Sequence, residues 1–145
     1  MANKALQVFE PWIGQWDTVG IHGILSDTTL HGRTSFQWHE SGAFVLMRSS
    51  IDDPRFPDGI AIIGSDDSLH KYSMLYYDER GVSRIQDVTM EGNVLRWSRN
   101  APGFSQRYAL ALSEDKQTII GKGELSKDGS TWEKDLDLDY TRAET

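Results

Sequence analysis

Cysteine is absent from the 145 residues. This excludes a disulfide framework, a thiolate nucleophile and a thiolate metal site, and it suits the reducing cytoplasm in which the protein is expected. Long apolar runs are missing as well. Nowhere do about 20 consecutive apolar residues occur, so no membrane span or membrane partner is expected. The N-terminal segment shows no signal-peptide pattern. Positive charge is in deficit, with 15 Lys and Arg against 22 Asp and Glu and a formal net charge of -7. Such a surface repels phosphates, so nucleic acid is not an expected partner. Arg96, Arg99 and Arg107 near Trp97 and Tyr108 read as a solvated exterior, because no glycine-aromatic RNA motif accompanies them. No nucleophile elbow, phosphate loop or dinucleotide fingerprint is present, and Gly121-Lys122-Gly123 fits none of these spacings.

Helical periodicity is also scarce. Leu6, Phe9 and Ile13 recur at helical spacing behind a candidate cap at Asn3, and Pro11 limits the segment to a short helix. From Gln15 onward, short apolar or alternating runs are separated by turn signals. The candidate strands are Trp16–Leu25, Arg33–His39, Ala43–Ile51, Ile60–Gly64, Tyr72–Tyr77, Ser83–Met90, Val94–Arg99, Gln106–Leu112, Thr118–Ser126 and Thr131–Thr141. The one longer connection, Asp52–Asp58, contains two prolines that forbid a central strand. A meander of about ten strands leaves two exposed edges unless it closes, which predicts an all-β, antiparallel up-and-down barrel behind a short N-terminal helix. Apolar content of 38% and charged content of 26% are those of a globular chain, and one domain over residues 1–145 is expected.

Parity assigns the faces. Trp132, Leu136, Leu138 and Tyr140 alternate with Glu133, Asp135, Asp137 and Asp139, so the even set is expected inside. Phe36 with Trp38, Leu95 with Trp97, and Tyr108 with Leu110 and Leu112 define inner faces in the same way. If Trp16 is inside, Thr18, Gly20 and His22 follow it inward, unless Gly20 and Gly23 mark a bulge in that strand. Ile85 suggests an inward face shared by Ser83 and Asp87. A buried Asp87 needs a partner, so either that register is wrong or Asp87 meets an interior cation or water. Tyr72-Ser73-Met74-Leu75-Tyr76-Tyr77 and Ala43–Ser50 are apolar on both faces and leave their parity open. Gly121 and Gly123 are candidates to face inward and leave room for a cavity.

Gly14-Gln15-Trp16 resembles the glycine-any-tryptophan signature of the lipocalins and wider calycins. In those barrels an arginine near the end of the last strand packs across the tryptophan, and Asp139-Tyr140-Thr141-Arg142 supplies one at a matching position. The resemblance thus implies that Gly14, Trp16 and Arg142 close one end of the barrel. The order of a short helix, Gly-x-Trp, Trp38 with Gly42 and Phe44, Gly59–Gly64 and a terminal Tyr-Thr-Arg is similar to a bacterial group of calycin-like barrels that carries no agreed activity. The related nitrobindin-like barrels bind haem through a histidine late in the chain. None of the four histidines here lies beyond His70, so haem ligation in that manner is not expected.

His22, His31, His39 and His70 match no compact metal motif, and neither metal nor cofactor is expected. His39 and His70 sit at turns and read as solvated. Asp52 with Asp53 and Asp66 with Asp67 read as turn chemistry rather than acid–base pairs. The barrel interior is therefore the candidate site, for a small and largely apolar partner. Phe36, Trp38, Tyr76, Trp97 and Tyr108 would supply its walls, while His22, Tyr72 and Arg48 would orient a polar end. A carrier without turnover is the first reading. The alternatives are an isomerase- or cyclase-type enzyme in the same barrel, or a solid barrel serving structurally or as an oligomer such as a homodimer.

Overall fold

A computed structural model of the chain describes residues 3–25 and 27–143; the expected domain, residues 1–145, extends past these at both ends. A short 3₁₀-type helix, Lys4–Trp12, precedes ten strands: β1 (Gly14–His22), β2 (Leu30–His39), β3 (Phe44–Ile51), β4 (Gly59–Asp66), β5 (Lys71–Asp78), β6 (Ser83–Glu91), β7 (Val94–Arg99), β8 (Ser105–Leu112), β9 (Thr118–Ser126) and β10 (Glu133–Arg142). Consecutive strands pair antiparallel, and β1 pairs with β10 as well as with β2. The meander therefore closes into a barrel, and its ladder has no free edge. No helix among the described residues is long and apolar enough to cross a membrane.

The helix belongs to the barrel because of its three-residue period. Leu6, Phe9 and Trp12 are all buried, one per turn of a helix with three residues per turn. Ile13, expected on that stripe, is instead the residue after the helix and only partly buried. The Asn3 side chain accepts from the Ala5 backbone N–H and donates to Ser65 Oγ at 2.8 Å. Tyr72 donates its hydroxyl to the Ala5 carbonyl and meets the Phe9 ring edge-on at 5.7 Å. One end of the barrel is thereby plugged.

Arg142 locks the plug. Its guanidinium lies 4.2 Å from the Trp16 ring and donates to the carbonyls of Pro11, Ile13 and Lys116. Trp16 in turn donates its indole N–H to the Trp12 carbonyl at 3.0 Å. Gly14 adopts φ 135°, and a Cβ there would lie 2.7 Å from Arg142 Nη1, so only glycine permits this approach.

The parity of two strands differs from expectation. On β6, Ile85 is 72% exposed, while Arg84 and Gln86 face the interior and Asp87 faces solvent. The register with Asp87 inside was the wrong one, and Asp87 needs no interior partner. On β10, two residues, Asp135 and Leu136, face Gly123 alone, because Lys134 pairs with Glu124 and Asp137 with Lys122. This β-bulge reverses the parity above it. Asp135 turns inward, and Trp132 lies on the exterior beneath the Arg107 guanidinium at 3.8 Å. The bulge is thus in β10 and not in β1. Gly20 of β1 and Gly23 just after it accommodate it, since a Cβ on either would lie about 2 Å from a β10 carbonyl oxygen, at Asp137 and Lys134.

The ambiguous strands resolve too. Val45 and Met47 are the inner residues of β3, with Arg48 exposed, and Tyr72, Met74 and Tyr76 are the inner face of β5.

Candidate functional site

Away from the plugged end, a cavity of about 640 Å³ opens between the strand ends. Met47, Ala61, Met74, Leu110, Leu138 and Tyr140 give it an apolar wall. Around its mouth stand Ile24 and Leu25 after β1, Arg55, Phe56 and Pro57 before β4, Arg80 after β5 and Phe104 before β8. The β3–β4 connection is shaped by Asp53, which accepts from the backbone and guanidinium of Arg55 at 2.6–2.9 Å. That clip carries Phe56 over His22, with ring centroids 5.3 Å apart.

The polar side of the cavity is built on Asp135, which the β10 bulge turns inward and leaves only 7% exposed. Its Oδ1 lies 3.1 Å from His22 Nε2, and its Oδ2 accepts from the Tyr108 hydroxyl and from Gln106 Nε2. His22 Nδ1 accepts the Ile24 backbone N–H at 3.1 Å, which places the ring proton on Nε2, directed at Asp135. Burial, and the carboxylate beside it, push the Tyr108 phenol well above its ordinary range, so it acts as a neutral donor. Tyr108 reaches Asp135 by lying across Gly123, where a Cβ would come within 2.2 Å of its ring. The space left by the inward glycines is therefore filled by tyrosines, Tyr108 over Gly123 and Tyr140 over Gly121.

A second buried carboxylate, Asp78, ends β5. Its side chain is fully buried and accepts from the Arg80 guanidinium at 2.7 and 3.2 Å and from the Tyr76 hydroxyl at 2.8 Å. Arg80 holds the Asp78 carboxyl down at about 2, while burial and the bond to Asp78 push Tyr76 up to about 12. Every oxygen of both carboxylates is engaged, and so are both ring nitrogens of His22. The arrangement presents no free base. Arg84 faces the cavity with donors to spare, its Nη1 donating to Gln106 Oε1 at 2.7 Å.

Of the residues expected to form the site, His22, Tyr76, Trp97 and Tyr108 line the cavity. The other four do not. Phe36 packs edge-on against Trp12 in the core at the plugged end. Trp38 donates to Glu10 Oε2 at 3.2 Å, and Tyr72 is bonded to the helix. All three face inward, Tyr72 on a strand whose parity the sequence left open, but they lie below the cavity because the strands run from plug to mouth. Arg48 lies on the opposite face, since Met47 takes the inward position of β3. Sequence reasoning missed Arg84, Gln86, Gln106, Asp135 and the mouth residues Phe56 and Phe104.

No protein-family model matches the chain, and no curated protein does. Among solved structures, the crystal structure of Rv2717c from M. tuberculosis is similar over 99% of this chain and 100% of that one, with a TM-score of 0.67 at 10% sequence identity. At that identity the likeness is one of fold, a ten-stranded antiparallel barrel over the full chain.

Proposed function

We propose that the protein binds a small, largely apolar molecule inside the barrel and that it belongs with the calycins. The observation that carries the first part is the cavity: about 640 Å³, apolar along most of its wall and polar along one side. That volume and lining are those of a small-molecule site, and a barrel packed solid would leave no such space. The stacking of Arg142 on Trp16 beside Gly14 supports the calycin placement. Binding is favoured over turnover because His22 and Asp135 spend their bonding capacity on each other and on neighbours. The same cavity would serve a carrier in the cytoplasm, in line with the cysteine-free composition.

Native mass spectrometry of the protein taken straight from cells is the direct test, together with uptake of the neutral dye N-phenylnaphthylamine. A retained small molecule, displaced by the dye, is the expected result. Dye fluorescence unchanged by the protein, with no retained mass, would refute the proposal.

A further inference from the structure

We propose that the occupant of the cavity carries a two-part head: an anionic oxygen group held by Arg84 and, a few bonds away, a hydroxyl held by Gln86. This rests on the reading of the barrel as a ligand-binding protein and adds the chemical class of the ligand.

Gln86 is the first ground. It lines the cavity, is 5% exposed, and its Oε1 is buried without a hydrogen-bond partner. Such atoms are rare in folded proteins and costly. Its cross-strand neighbour on β5 is Met74, which has no donor to offer. A ligand group reaching it from the cavity would supply the missing donor. A hydroxyl is the group best suited, because it donates and accepts, and so matches the amide whichever way that amide is turned.

Arg84 is the second and independent ground. Among the described residues, Arg33, Arg55, Arg80 and Arg107 are each ion-paired, to Asp17, Asp53, Asp78 and Glu124. Of the five arginines with no carboxylate within ion-pair distance among the described residues, Arg48, Arg84, Arg96, Arg99 and Arg142, Arg84 is the one that lines the cavity. Its guanidinium lies 5.2 Å from the Phe104 ring centroid and donates to one neutral acceptor, Gln106 Oε1. Gln106 in turn donates to Asp135, so Arg84 touches that charge only through an amide.

The hydrogen-bond inventory favours an anion over a cation. Asp78 accepts four hydrogen bonds from Tyr76 and Arg80, and Asp135 is contacted by three donors. Neither is left to bind a cation. The guanidinium of Arg84 still has N–H donors in a planar fork, the shape that a carboxylate or phosphate fits. Arg84 and Gln86 are two positions apart on one face of β6, about 7 Å along the strand. Both side chains are long enough to converge from that spacing onto one head group.

The test uses the full chain and displacement of N-phenylnaphthylamine by decanoate, methyl decanoate, β-hydroxydecanoate and decyl phosphate. Decanoate is expected to displace the dye at least about tenfold more effectively than its methyl ester, as a charge-assisted pair requires. β-Hydroxydecanoate should exceed decanoate, and decyl phosphate distinguishes a phosphate from a carboxylate as the preferred anion. Arg84→Met should erase the preference for acid over ester, and Gln86→Met should erase only the gain from the hydroxyl. Acid and ester binding equally to the wild type, which takes up the dye, would overturn the inference and leave the cavity reading in place. Failure of the wild type to take up the dye or any probe would remove the cavity reading itself. The wild-type comparison decides alone if either variant does not fold.

Discussion

Arg142→Ala is expected to weaken the barrel severely while leaving the cavity at the opposite end intact. The magnitude follows from what the guanidinium touches. Two of its acceptors, the Pro11 and Ile13 carbonyls, are partly buried, at 2.7 and 2.9 Å. A hydrogen bond from a charged donor contributes about 1.5 kcal/mol net, so these two account for about 3 kcal/mol. Stacking on Trp16 at 4.2 Å adds about 1 kcal/mol. The Lys116 carbonyl is exposed, and water can replace the arginine there at little cost. The sum, about 4 kcal/mol, is a large fraction of a typical total stability of about 5–15 kcal/mol.

Urea unfolding followed by the fluorescence of the five tryptophans measures it. With a slope of about 2 kcal/mol per molar urea, the midpoint should fall by about 2 M. Arg142→Lys keeps a cation over the indole but has no planar fork to reach both the Pro11 and Ile13 carbonyls, so it should recover less than half of the loss. A midpoint for Arg142→Ala within about 0.3 M of the wild type would show that the plug is not held by this residue. A lost midpoint accompanied by equal loss of dye binding at low urea would show that the two ends of the barrel are not separate.

Gly123→Ala places a methyl group 2.2 Å from the Tyr108 ring, so it should break the bond to Asp135 and destabilise by about 2–3 kcal/mol. Gly64→Ala, whose new Cβ has no neighbour nearer than 3.8 Å, should be almost neutral in the same unfolding assay. Gln86→Met removes an unpartnered buried acceptor and should raise the stability of the ligand-free barrel by about 1 kcal/mol, read as a higher urea midpoint. Asp78 gives a pH signature. Its folded pKa, about 2, lies below the unfolded value of 3.8, so its contribution is present above pH 4 and is lost as pH falls through that interval. The stability gap between wild type and Asp78→Asn should therefore narrow between about pH 4 and pH 2, and a constant gap would refute the assignment.

The architecture was legible in the sequence because alternation and turn chemistry are local. The inner faces of β1, β7 and β8 followed from Trp16, Leu95, Trp97, Tyr108 and Leu110, and the cap at Asn3 followed from its place before an apolar stripe. The site was less legible for two physical reasons. The rule that apolar residues face inward inverts where the interior is meant to be polar. On β6 it chose Ile85, which is exposed, over Arg84 and Gln86, which carry the unsatisfied chemistry. The second reason is that a bulge is invisible to a period of two. Asp135 sits in an acidic alternation, Asp135, Asp137 and Asp139, of which the bulge turns only the first inward. One signal for that bulge was in the sequence, displaced onto the partner strand. Gly20 and Gly23 are there because the bulged backbone of β10 approaches where a side chain would be.

These two failures have one cause, the division of each strand between a plugged half and an open half. β1 begins with Gly14 and Trp16, whose surroundings are filled by the helix and Arg142, and ends at His22, whose ring borders open space. β5 runs from Tyr72, bonded to the helix, to Tyr76 and Asp78 at the mouth. β6 runs the other way, from Arg84 in the cavity to Val88 in the core. In the plugged half, burial decides the sequence, and the residues there are read correctly by hydrophobicity. In the open half the interior is partly polar, and there hydrophobicity alone misreads which face of a strand points inward. The unpaired valences of Arg84 and Gln86 therefore follow from the same division that makes Trp16 and Arg142 structural.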